Sequence, residues 1–179
     1  MVAYPLPTIQ DLLGVGWPKN KDIVARGLLA ITIKRSAVDL ADGSPASIEH
    51  LANREYHHLF PDSLVTYDGG LTAVESYRAL NCALITWNTN RNISAKGPLQ
   101  YIQERVLRSQ LGEQEIKSRL ASHLIPFDQV NVGGYAQLAA DERKSRINTD
   151  YAAFLEARAN LFIPAIQALC EGQNWPFHV

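Results

Sequence analysis

Cysteine is nearly missing from this chain: Cys82 and Cys170 stand in unlike contexts, and no Cys-x-x-Cys pair occurs. A zinc knuckle is excluded, a disulfide framework is disfavoured, and the simplest compartment is a reducing cytoplasm. A basic excess is also missing, since Lys and Arg number 17 against 18 Asp and Glu, for a formal net charge of −1. A free DNA binder usually carries such an excess. Affinity for phosphate would therefore need local patches, a metal ion or a partner domain. Long apolar runs are absent too. The longest, residues 27–33, lies between Arg26 and Lys34 and is far too short to span a bilayer. No charged leader precedes an apolar core at the N-terminus, so secretion is not expected. There is no internal repeat and no low-complexity tract.

What is present suits a packed chain. Of 179 residues, 46% are hydrophobic and 20% charged, which allows one domain, or one domain with a helical appendage. Thr8 caps a short helix over 9–13 that Gly14 ends. Residues 22–33 are spaced as a helix, although 31–33 would also suit a strand. Asp42-Gly43 marks a turn, and Ser44-Pro45 reads as the start of a helix through Ala52. Strands are expected over 56–60 and 81–86, with a flexible tip at 68–70 and a helical turn near 73–77 between them. A helix over 88–95 follows. Pro98 opens another that stops at Gly112, and a third over 113–125 is ended by Pro126. The last helix is introduced by Asn148-Thr149-Asp150, ended by Gly172, and kinked or restarted at Pro164. The expected fold class is α+β, mostly α. A hairpin-plus-helix core covers about 54–97, with a helical lead-in over 1–53 and helices over 98–179.

Chemistry concentrates at Arg54-Glu55-Tyr56-His57-His58-Leu59-Phe60-Pro61, read with Asn81 and Asn90. Hydrolysing a phosphodiester needs a base for water, a cation for the developing charge, and a frame holding both in line. An imidazole with an unperturbed pKa of about 6.5 is largely neutral near pH 7 and can accept a proton. Neighbours on a strand point to opposite faces. His57 and His58 can therefore divide metal and water between them only if the strand end bends, as Pro61 permits. Asn90 offers a carbonyl oxygen as a second metal ligand. Asn81 can hydrogen-bond the connecting loop and fix the base. Glu55 shares a strand face with His57; it can orient the imidazole or form a surface pair with Arg54.

These residues resemble the HNH, or ββα-metal, nuclease superfamily. There the strand ends in Asp-His or His-His, and a proline follows after two intervening residues. By position the resemblance makes His57 a metal ligand, His58 the general base, Asn81 the brace and Asn90 the second ligand, with Asn88 at an auxiliary ligand position. It implies DNA as substrate and a divalent ion as cofactor. Mg²⁺ is the first choice; a neutral His/Asn pair brings no charge to a hard cation and keeps Mn²⁺, Ni²⁺ or Zn²⁺ open. Arg91 and Lys96 are candidates to meet DNA phosphate, with solvated surface charge as the alternative. A narrower resemblance joins residues 54–61, 89–96, 122–126 and 151–158 to the C-terminal nuclease region of GmrSD-type phage-defence restriction proteins. It implies a larger chain with an N-terminal ParB-like nucleotide-using domain, modified phage DNA as a target, a bacterial cytoplasm and no membrane. The Asp-Gly-Gln-Gln-Arg signature of that domain does not occur here.

Blander roles fit several of the same residues. Trp87 is expected to pack in the core or along its helix rather than stack on a base. Asn92 suits a turn or cap. Cys82 suits a core strand, and His50, His123 and His178 suit structural or surface roles. Arg143, Lys144 and Arg146 make a small basic face that a helix often carries idly.

Overall fold

The computed structural model describes residues 5–18, 22–45 and 54–173. It is mostly helical with one small two-stranded antiparallel sheet, an α+β arrangement. Among the described residues, no helix is long and apolar enough to cross a membrane.

Local chemistry explains the first helices. In α1 (Ile9–Gly14), Thr8 accepts from the Asp11 amide while Asp11 reaches back to the Thr8 amide, a reciprocal cap. In α2 (Ile23–Lys34), Asp22 caps the N-terminus, and the helix runs through 31–33, so no strand forms there. The turn at 40–42 leads into Gly43 at φ +72°. Pro45 does not begin a helix: it pairs with Val38 in an antiparallel bridge. The rest of that expected helix, with His50, and also His178, lie outside the described residues.

The hairpin is β1 (Arg54–His58) against β2 (Cys82–Thr86), in a register that sets His57 opposite Ala83 and His58 opposite Cys82. β2 begins one residue later than expected, and β1 differs at both ends. β1 starts earlier and stops at His58, because residues Ala79–Asn81 form a 3₁₀ turn that offers no extended partner. The connection holds a π-helical turn (Leu64–Asp68), then α3 (Ala73–Ser76). The expected flexible tip is packed instead: a Cβ on Gly69 would meet the Val65 carbonyl at 2.5 Å and Ile147 and Asn148 at 3.0 Å.

Strand β2 runs directly into α4 (Trp87–Ile93), capped by Thr86. Helix α5 (Pro98–Arg108) starts with proline in its first turn, where no amide partner is needed. It stops at Ser109, short of Gly112, which at φ +63° begins α6 (Glu113–Ser122) instead. A short α7 (Phe127–Val130) and a 3₁₀ turn (Tyr135–Gln137) lead to α8 (Ala140–Cys170). That helix begins well before Asn148-Thr149-Asp150 and continues through Pro164.

Helix α8 is the spine of the core. Ile147, Tyr151, Phe154, Arg158, Phe162 and Ala165 are buried at steps of three and four, the period of one helix face. Phe60, just after β1, packs on Phe154 and Tyr151 with ring centroids 5.1 and 5.4 Å apart. Full burial of such a ring stabilises by roughly 1.5–3 kcal/mol. The Arg158 guanidinium, 1% exposed, donates to the carbonyls of Leu80, Cys82, His123 and Leu124. Burial pushes its pKa down to about 10. Those four bonds tie α8 to the start of β2 and to the end of α6.

Candidate active site

Period-two alternation sends Glu55 and His57 to one face of β1, and Tyr56 and His58 to the other. The neighbours of each residue agree. His57, 3% exposed, lies against Tyr101 of α5 and holds Asn90 of α4, Nδ1 to Oδ1 at 2.8 Å. The far side of the Asn90 amide donates to Glu55 Oε2 at 2.5 Å. A carboxylate only accepts, so Nδ2 must face Glu55 and Oδ1 must face His57. The proton between His57 and Asn90 therefore sits on Nδ1. Nε2 of the same ring is buried with no hydrogen-bond partner among the described residues. Burial dominates its titration and pushes the pKa down to about 4, against the opposing bond to Asn90. The ring is neutral near pH 7.

His58 sits across the strand in an aromatic setting. Its imidazole stacks on Trp17 with centroids 4.0 Å apart, and Tyr77 meets it edge-on at 4.6 Å. It stands where β1 gives way to Leu59-Phe60-Pro61.

Asn81 fixes that turn. The residue is wholly buried; its Oδ1 accepts from the Phe60 amide at 2.8 Å, and its Nδ2 donates to the Phe60 and Ser76 carbonyls at 3.0 and 3.1 Å. Its own carbonyl accepts from the Leu59 amide. One side chain thus replaces the ladder that the 3₁₀ turn cannot supply.

Helix α4 is positioned by a residue from outside the hairpin. Asp39 accepts from the Thr86 amide at 2.7 Å and the Thr89 hydroxyl at 2.5 Å, and pairs with Arg54 at 3.1 Å, both side chains out of water. Burial alone would raise its pKa; the bonds from Thr86, Thr89 and Ala41 together outweigh that and leave it lowered. Asp39 thereby joins the start of β1, the end of β2 and the first turn of α4.

The structure brings His57, Asn90 and Glu55 together and sets Asn81 at the adjoining turn. Other expected site residues stand apart. Asn88 is exposed, two positions from Asn90 and so nearly opposite it around the helix. Arg91 lies over the Trp87 ring at 4.1 Å, so Trp87, 46% exposed, packs along its own helix as expected and not in the core. Lys96 pairs with Glu104 at 2.6 Å. In the basic face of α8, Arg143 donates to the carbonyls of Tyr135 and Leu138, Arg146 pairs with Asp150, and Lys144 covers Gly70. His123 is structural: buried, it holds the Val38 carbonyl at 2.7 Å. Cys82 is fully buried in β2.

Asp39, Trp17 and Arg158 were not anticipated. Asp39 falls between the helix expected over 22–33 and the turn at Asp42-Gly43, and Trp17 follows the helix that Gly14 ends, where no element is expected. Arg158 did carry a signal, a charge four residues from both Phe154 and Phe162 on an apolar stripe.

Among the described residues, no group of three or more His, Cys, Asp or Glu side chains is placed to hold a metal ion. A His/Asn pair falls outside such a count. Adjacent ligands of an octahedral ion at about 2.1 Å stand about 3 Å apart. Nδ1 and Oδ1 stand 2.8 Å apart with the proton between them, so an ion on this pair requires the ring to carry its proton on Nε2 instead. Glu55 behind Asn90 supplies the negative charge that two neutral ligands lack. With the proton moved to Nε2, the Nδ1 lone pair and the Asn90 Oδ1 would be the two candidate donors to a divalent ion.

Set against known proteins, the chain matches no family model, no curated protein and no solved structure.

Proposed function

We propose that this chain is a metal-dependent endonuclease of the HNH, ββα-metal type, hydrolysing DNA phosphodiesters in restriction of phage DNA. The observation that carries the reading is the 2.8 Å approach of His57 and Asn90, from a hairpin and the helix that follows it. Asn81 at the turn between them and Glu55 behind Asn90 support it. In this reading the chain is the C-terminal nuclease region of a GmrSD-type protein, working in the cytoplasm beside a ParB-like nucleotide-using domain.

His57 and Asn90 are the residues to hold the ion, which when bound supplies positive charge to the phosphoryl and leaving oxygens. Glu55 and Asn90 keep the His57 ring in one orientation. His58, at the strand end, takes the proton of the attacking water. The bond to the 3′ oxygen breaks, leaving 5′-phosphate and 3′-hydroxyl ends. Asn81 holds the turn that presents His58.

A second reading has a specific observation behind it. His58 lies flat on Trp17, so the fold can persist as a catalytically silent DNA-binding module. Plasmid nicking with Mg²⁺ or Mn²⁺ separates the two. Loss of nicking in His58→Ala and Asn90→Ala, with the fold retained, supports the nuclease. Equal behaviour of wild type and variants, both still retaining DNA, supports the module.

A further inference from the structure

The last turn of α5 and the flank of α6 enclose a depression of about 290 Å³, lined by Arg105, Arg108 and Arg119 with Glu115, Ser109 and Ala41. Three guanidiniums meet one carboxylate there, and that carboxylate is engaged: Glu115 accepts from Arg119 and from the Ser109 hydroxyl. Arg119 also donates to the carbonyls of Leu40 and Ala41. Asp39 and Glu104 act on Arg105 from farther off, but they pair with Arg54 and Lys96. Among the described residues, no ion pair joins Arg105 or Arg108 to a carboxylate.

Arg105 Nε is buried with no hydrogen-bond partner among the described residues. Buried donors are nearly always satisfied. Arg105 and Arg108 are three apart and share a helix face. Burial first, then the charge of Arg108, hold the Arg105 pKa below its ordinary value. The helix C-terminus explains why cations collect here. It does not explain a walled depression in which two of the three guanidiniums have no carboxylate of their own.

We infer that this depression is an oxyanion site for a phosphate dianion, received by the guanidiniums of Arg105 and Arg108 and balanced by Arg119. The planar fork of arginine matches phosphate oxygens in pairs. Three cations less one engaged carboxylate leave two positive charges. That suits the roughly −1.5 to −2 charge of inorganic phosphate or a terminal phosphate monoester better than the single charge of a diester. The inference does not depend on the nuclease reading.

The test is an NMR titration of the arginine Nε–H resonances with inorganic phosphate at constant ionic strength. A saturable shift of Arg105 is expected. Arg105→Gln should weaken binding about tenfold and Arg108→Gln several-fold, with unchanged melting temperatures. A 5′-phosphorylated oligonucleotide is then set against its 5′-hydroxyl twin. Competition by the phosphorylated form alone supports the site with a nucleic-acid terminus as its ligand. Competition by neither supports it with a small phosphate. A shift that never saturates, or equal binding by well-folded Arg105→Gln, overturns the inference. Neither substitution touches His57, Asn90 or Glu55, so failure here leaves the metal reading standing.

Discussion

The imidazole of His58 lies on the indole of Trp17, their planes within 17° and their centroids 4.0 Å apart. The same indole meets Tyr77 edge-on at 5.3 Å, so one side chain organises this face of the hairpin. Trp17→Leu should move the His58 ring-proton resonances downfield, because the shielding indole is gone. It should also cost about 1–2 kcal/mol in urea unfolding, the scale of two aromatic contacts. Unmoved His58 resonances would show that the stack does not form in solution.

Glu55 acts on the candidate metal pair only through Asn90. Replacing it with Gln keeps the shape but lets an amide donor face the Asn90 Nδ2. Removing such an outer partner typically weakens metal binding about 10- to 100-fold. Calorimetric titration with Mn²⁺ should show that loss in Glu55→Gln and no detectable binding in Asn90→Ala. Equal affinity in all three proteins would remove the pair from consideration.

Asn81→Ala deletes three buried hydrogen bonds and leaves backbone groups of Phe60 and Ser76 without their partner. At about 1 kcal/mol per bond, before any penalty for groups left unsatisfied, a loss of about 3 kcal/mol or more is expected in chemical denaturation. Asn81→Asp should be worse at pH 7 than at pH 4, since a carboxylate would face two carbonyl oxygens.

Arg158→Leu strips four carbonyls of their donor inside the core. A destabilisation of about 3 kcal/mol or more follows from leaving such groups unpaired. Arg158→Lys should recover only part of it, because an ammonium cannot span positions that a planar fork reaches. Equal stability of all three proteins in urea would contradict the bonding seen here.

His57 and His123 are both held at a pKa of about 4, chiefly by burial. In the unfolded chain each titrates near 6.5. Between those values the unfolded state binds more protons, so stability is full above pH 6.5 and falls as pH drops toward 4. The loss should be on the order of 2 kcal/mol per ring by pH 5. Asp39, with a lowered pKa, adds to it under more acid conditions. Unfolding midpoints at pH 7 and pH 5 give the slope, and His123→Gln should roughly halve it.

Elements written in short-range chemistry were legible in the sequence. Thr8 with Asp11, Asp22, and Pro98 each name a helix start within a few residues. The hairpin and its following helix could be anticipated from residue order; residues 57 and 90 were expected to share an ion, and the structure joins them by a hydrogen bond. What could not be read depends on distant partners. Asn148-Thr149-Asp150 resembles a cap, yet Ile147 beside it is buried and the helix passes straight through. Gly112 suits a helix end, yet Ser109 closes α5 first. The span from Asp39 to Thr89 covers 50 positions, and no local pattern announces it.

Cys82 and Arg158 are separated by 76 positions, yet one donates to the other's carbonyl. During synthesis the hairpin would therefore leave the ribosome long before the guanidinium that steadies it. Until that late helix arrives, β2 is a strand without its anchor, and whatever the hairpin does must wait for the last third of the chain.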